Sequence, residues 1–125
     1  MTKANKQVGS FGEQHSAHYL QKKGFHIIGL NSTSRWGEID IIAEKDNIIH
    51  FIEVKTRKTS KQGKPVEAVT YQKLKKLTRA IEFYILSHNL SNRKFQIDVI
   101  GIVLAQDNNV TEMKYYPNVA ADLFL

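Results

Sequence analysis

The chain contains no cysteine. Disulfides and thiolate chemistry are excluded, and a reducing, cytoplasmic setting is expected. No apolar run approaches the ~20 residues that a membrane-spanning helix needs, so no membrane partner is expected. The opening stretch, MTKANKQVGS, has lysine but no apolar core behind it, which is not a secretory signal. Internal repeats and low-complexity tracts are missing too. Acidic residues are scarce in one region above all. From Lys55 to Arg79 there are nine positive charges and one negative, Glu67, a local +8 in a chain of net charge +6. The rest of the chain therefore sums to −2.

What is present is ordinary for a soluble protein. With 125 residues, 42% of them hydrophobic and 24% charged, the chain is long enough for one compact domain and too short for two. The basic segment is the electrostatic footprint expected for a polyanionic partner. A solvated loop and helix face would give the same count.

Residues 1–9 are polar and expected to be loose, with a single domain over 10–125. A first helix is predicted from Ser10 to Lys23, since Ser10 and Glu13 have capping-box spacing and Gly24 can end it. Phe25 to Leu30 reads as a strand, and residues 32–37, Ser-Thr-Ser-Arg-Trp-Gly, as a loop. Strands follow at Glu38–Glu44 and Ile48–Lys55 around the turn signal Asp46-Asn47. Polar residues from Thr56 to Pro65 form a loop. A longer helix runs from Glu67 or Thr70 to Ser87, with Leu74, Leu77, Ile81, Tyr84 and His88 on one stripe. Phe95–Leu104 and Val110–Tyr116 are two more strands, and Ala120–Leu125 could dock as a helical turn. The order α-β-β-β-α-β-β implies an α/β fold with a mixed sheet flanked by helices.

The stretch GEIDIIAEKDNIIHFIEVK puts Asp40, Glu53 and Lys55 into strands otherwise made of Ile, Val and Phe. Charges in a strand that looks central need a reason. If Asp46-Asn47 is a two-residue turn, Lys45 opposes Ile48 and Asp40 stands across from Glu53. A three-residue turn would send the two acids to opposite faces. In the favoured register the carboxylates lie within reach of each other and repel. Lys55, on the face of Glu53, supplies one positive charge, and a divalent cation would supply two. Oxygen ligands of this kind suit Mg²⁺ or Mn²⁺, with the Val54 carbonyl a further candidate ligand. A surface Asp–Lys–Glu cluster without a metal is the plainer alternative. Glu13 shares an arc of its helix with Ala17 and Leu20, so it faces the sheet and could add a carboxylate.

The segments GEIDIIA and HFIEVKTRK resemble the PD-(D/E)XK nuclease motif, with Asp40 as first acid and Glu53-Val54-Lys55 as E-x-K. With Gly12-Glu13 in the first helix and the EVK-x-R ending at Arg57, the chain resembles the uncharacterised YraN-like bacterial family. That family is similar to Holliday-junction resolvases of the restriction-endonuclease-like fold. The resemblance spans about Gly9 to Ile102 and takes in Lys73 and the strand of Asp98. It implies that Glu13, Asp40 and Glu53 are metal-site acids and Lys55 the catalytic lysine, in a Mg²⁺- or Mn²⁺-dependent endonuclease for branched DNA. Trp36, before GEID, is a less typical choice there.

Arg57, Lys58, Lys61 and Lys64 follow the motif strand directly, while Lys73, Lys76 and Arg79 form a helical ridge. Together with Arg35 they are the candidate phosphate contacts. Trp36 could stack on a splayed base or simply pack. His15 and His18 lack a third soft ligand and read as surface residues, and His50 as structural. Asp98 interrupts an apolar strand and is expected in a buried ion pair with Arg or Lys. Two other functions fit the same residues: a nucleic-acid-binding module that does not cut, and a protein-interaction domain whose basic face meets an acidic partner. A junction is two-fold symmetric, so a homodimer would suit it.

Overall fold

The computed structural model describes residues 3–58 and 63–120, without the side chains of 3–9. Its elements are α1 (Lys3–Lys22), β1 (His26–Ser34), β2 (Gly37–Lys45), β3 (Ile48–Arg57), a short 3₁₀ helix at Pro65–Ala68, α2 (Tyr71–Ser87), β4 (Lys94–Leu104) and β5 (Val110–Tyr116). The five strands form one mixed sheet in chain order, antiparallel except for the parallel pair β3–β4. A parallel pair needs a crossover, and α2 is that crossover. This is the element order of a restriction-endonuclease-like core.

Hydrophobic period sets which face each element covers. Ala17 and Leu20 of α1 pack with Ile41, Ala43, Ile52, Ile100 and Ile102 on one face of the sheet. Leu74, Leu77, Ala80, Ile81 and Tyr84 of α2 pack with Ile39, Ile42, Ile49, Phe51 and Ile97 on the other. The β2–β3 turn is tight because Asp46 and Asn47 both adopt positive φ, 51° and 68°. That fixes the two-residue register, with Lys45 opposite Ile48 and Ile41 opposite Ile52.

Four local expectations are corrected. α1 starts at Lys3 rather than Ser10, so it takes in residues expected to be loose, and Ser10 lies inside it. There is accordingly no Ser10–Glu13 capping box: a cap needs its residue outside the helix. β1 runs on through Ser34, paired to Gly37, and leaves only Arg35-Trp36 as the turn. Its polar end is tolerated because β1 is an edge strand, half in water. His88 is exposed at the end of α2, stacked on Tyr84 at 3.9 Å, rather than part of the buried stripe.

The fourth correction concerns Asp98, which is fully buried and is not paired with Arg or Lys. It accepts hydrogen bonds from His50 Nδ1 (2.6 Å), the Tyr115 hydroxyl (2.6 Å), Gln96 Nε2 (2.8 Å) and the Asn118 amide (2.9 Å). The parallel register puts Ile52 beside Asp98, so His50 is its diagonal neighbour on the same face. Burial pushes the Asp98 carboxyl up, but these donors outweigh it and hold it below the usual carboxylate range. The same contact, added to burial, pushes the Tyr115 hydroxyl well above its ordinary value. His50 is structural, as expected. The tail beyond Ala120 lies outside the described residues.

Candidate active site

The ladder between β2 and β3 stops after Ile41–Ile52. The next inward donor on β3, the Val54 amide, is taken by the Asp40 carboxylate at 2.8 Å instead of by a strand carbonyl. Asp40 therefore sits in the gap where two central strands part. Ile39 and Ile42 both belong to the α2 side, whereas Ile41 and Ala43 belong to the α1 side, so strict alternation also skips at Asp40. A residue in such a gap can be reached from both faces of the sheet. In an extended strand a residue's N–H and C=O point the same way, so the Val54 carbonyl faces this gap as well.

From the α1 face comes Glu13. Its approach depends on Gly12, where an added Cβ would collide with Thr56 Oγ1 of β3. Glu13 lies close enough to Asp40 and to Asn31, a β1 residue held at φ 50°, for both to shift its pKa. One oxygen from each of Glu13, Glu38 and Asp40 falls within a set whose members are all within 4.8 Å of one another. From the α2 face comes Glu53, near enough to Asp40 to be shifted by its charge and outside that set of three.

Crowding four carboxyls around one gap has an electrostatic cost. Burial, then the charges of Asp40 and Glu38, push Glu13 from 4.5 to about 7. Burial, then Asp40, push Glu53 from 4.5 to about 8, against the pull of Lys55 and Lys73. Asp40 is raised by burial too, but the Val54 amide and hydrogen bonds from Glu13 and Glu53 oppose the rise. Glu13 and Glu53 thus hold their protons more tightly than free carboxyls do. All donors are hard oxygens, with no nitrogen or sulfur, a set that fits Mg²⁺ or Mn²⁺. A divalent ion would replace the retained protons.

Cations adjoin the acids on the α2 side. A groove of about 310 Å³ is lined by Trp36, Glu38, Glu53, Lys73 and Lys76, among others. Lys73 and Lys76 are placed there because α2 starts at Tyr71, its Thr70 cap accepting from the Lys73 amide at 3.2 Å. Lys55 is half-buried on β3 and near enough to Glu53 to pull its pKa down. Arg35 lies over the Trp36 ring at 4.5 Å, and Trp36 itself is 41% exposed, so it is not a packing residue. Arg57 ends β3, and Lys58 and Lys64 are exposed beyond it. Arg79 lines a separate groove on α2. Lys61 lies outside the described residues.

Two contributors were missed in the sequence. Glu38 is two residues before Asp40, and period-two alternation puts it on the same side, so the signal was there. Asn31 carried only the weak hint that Asn tolerates positive φ. His15 and His18 belong to no metal-competent group among the described residues.

The family model of the uncharacterised protein family UPF0102 matches residues 12–102, which includes every acid of this site. This chain belongs to UPF0102. Members of the family similar to it include a UPF0102 protein of Clostridium acetobutylicum, 39% identical over 94% of this chain and 97% of its own. Another, from Caldicellulosiruptor bescii, is 42% identical over 95% and 98%. A third, from Dictyoglomus turgidum, is 35% identical over 91% and 97%. UPF0102 is the YraN-like family to which the motifs pointed. Matches of this length place this chain and those relatives in one UPF0102 architecture of similar extent. Among the described residues no helix is long and apolar enough to cross a membrane.

Proposed function

We propose that this UPF0102 protein is a metal-dependent nuclease that hydrolyses phosphodiester bonds in structured DNA. The observation that carries the reading is Asp40 at the parting of β2 and β3, with Glu13, Glu38 and Glu53 crowded against it and Lys55 alongside. Charges of one sign are costly to gather at a half-buried point, and a cation offsets that cost.

Asp40, Glu13 and Glu38 or Glu53, with the Val54 carbonyl, would hold Mg²⁺ or Mn²⁺. When bound, such an ion polarises a phosphate and activates an attacking water. Lys55 orients that water or meets the negative charge that develops on the phosphate. Lys73 and Lys76, on the wall facing Glu53, hold the backbone next to the acids. Arg35, Lys58 and Lys64 extend the positive surface along the strand ends, so affinity falls steeply with salt.

The test is cleavage of junction, flap, single-stranded and duplex DNA with Mg²⁺ or Mn²⁺, alongside Asp40→Asn. Metal-dependent cutting that Asp40→Asn abolishes is the expected result. Binding in EDTA with no cutting under any metal would instead favour a non-catalytic binding module.

A further inference from the structure

We propose that the groove on the outer side of α2 beside Trp36 holds an unpaired nucleobase of the strand that enters the acidic site. The inference rests on the nuclease reading and narrows its substrate to nucleic acid with a single-stranded or splayed nucleotide next to the cut.

This groove, about 520 Å³, is lined by Trp36, Arg79, Glu82, Phe83 and Leu86. Three of the five are large apolar side chains left in water: Trp36 is 41% exposed, Phe83 46% and Leu86 70%. Arg79, Phe83 and Leu86 recur at four and three residues, so they form one stripe. The buried stripe of α2, Leu74, Leu77, Ile81 and Tyr84, faces the sheet instead. Among the described residues, Phe83 and Leu86 belong to neither hydrophobic cluster of the core.

Continuity and charge identify the occupant. Trp36 lines both this groove and the one that holds Glu53, Lys73 and Lys76. A strand lying along Lys73 and Lys76 therefore reaches the far side of Trp36 next. Arg35 over one ring face of Trp36 and Arg79 within the groove favour a polyanion over a neutral apolar partner. Glu82 repels a phosphate but can accept from a base's exocyclic amine, so the base rather than the backbone fits the groove floor. Stacking on Trp36 or Phe83 requires a free π-face, which a base inside a duplex does not offer. An uninterrupted duplex is thus a poor occupant, and a flap, end or branch a good one.

Trp36 is the only tryptophan, so its emission reports on the two grooves it lines, and substitutions at Phe83 and Leu86, which line only this one, tell them apart. The experiment titrates the full chain in EDTA, where no cutting occurs, with a short single-stranded DNA and with the matching duplex. Expected is quenching of Trp36 by the single strand. Phe83→Ala, and separately Leu86→Ser, should weaken single-strand binding, Phe83→Ala by about fivefold or more, the low end for one stacked base. Duplex affinity should stay unchanged. Equal losses on both DNAs, no loss on either, or an emission that the single strand does not move would overturn the proposal. So would an emission change with protein concentration alone, matched by a dimer in sedimentation that Leu86→Ser abolishes, which would give the face to a second copy. Parallel cleavage assays with Mg²⁺ separate the two ideas. Cutting by the wild type with no Phe83 effect removes only the groove, and single-strand quenching without cutting removes only the nuclease.

Discussion

Raising the pH in the absence of divalent ions should destabilise this protein, and neutralising one acid should then stabilise it. A carboxyl whose folded pKa lies above its unfolded value is held protonated more tightly by the folded chain. Its contribution is fully present below the unfolded value and is lost as pH rises through the folded one. For Glu13 and Glu53 that window runs from 4.5 up to about 7 and about 8. Taken singly, each rise is worth several kcal/mol at 1.36 kcal/mol per tenfold. The two share the Asp40 charge and stand partly in water, so they do not add and screening trims them. A combined loss of about 2–4 kcal/mol between pH 5 and pH 9 is expected in EDTA, or roughly 10 °C in Tm. Asp98 acts in the opposite sense: its depressed pKa gives stability that is lost only as the solution turns acidic. The assay is thermal unfolding across pH in EDTA and in Mg²⁺, for the wild type and Glu53→Gln. The wild type should lose Tm above pH 6 in EDTA and regain it with Mg²⁺. Glu53→Gln should be the more stable protein at pH 9 in EDTA and should respond less to Mg²⁺. A Tm that is flat from pH 6 to 9 in EDTA, or a Glu53→Gln that is less stable at pH 9, would show that the carboxyls do not repel one another as described.

Other outcomes follow from single contacts. Lys55→Ala should lower cleavage at least about 100-fold while sparing most DNA binding, measured by single-turnover cutting and by mobility shift. Asp98→Ala leaves His50, Tyr115, Gln96 and the Asn118 amide without their acceptor, and urea unfolding should show a loss of about 3–5 kcal/mol. Gly12→Ala drives a methyl into Thr56 Oγ1, so Thr56 must turn aside or α1 must shift. It should cost about 1–3 kcal/mol and also blunt the Mg²⁺ response, because Glu13 moves with the helix.

The centre of the site was legible because its geometry is local. Asp46-Asn47 fixes the β2–β3 register as far as Ile41–Ile52, and Asp40 and Glu53 are the first residues past the end of that ladder. Glu13 was legible from its arc with Ala17 and Leu20, although its expected role as a cap was not. Helix starts are poorly marked when, as here, polar residues simply continue the helix upstream. The parting of β2 and β3 was not legible, since a strand pattern shows faces but not where a ladder ends. Alternation puts Glu38 on the side of Asp40, but that it also lies beside Glu13 is visible only in the structure. The Asp98 network was hidden for a different reason. Its partner His50 lies across a parallel pair whose register depends on the whole β3–α2–β4 crossover rather than on any short motif.

On the proposed reading, Glu13, Glu38, Asp40 and Glu53 gather to bind a divalent cation. Anomalous diffraction from crystals soaked in Mn²⁺ tests it most directly. A peak is expected within coordinating distance of Asp40, flanked by Glu13 and by Glu38 or Glu53, and Asp40→Asn should remove it. Density that leaves the four carboxyls metal-free at saturating Mn²⁺ and pH 8 would contradict it.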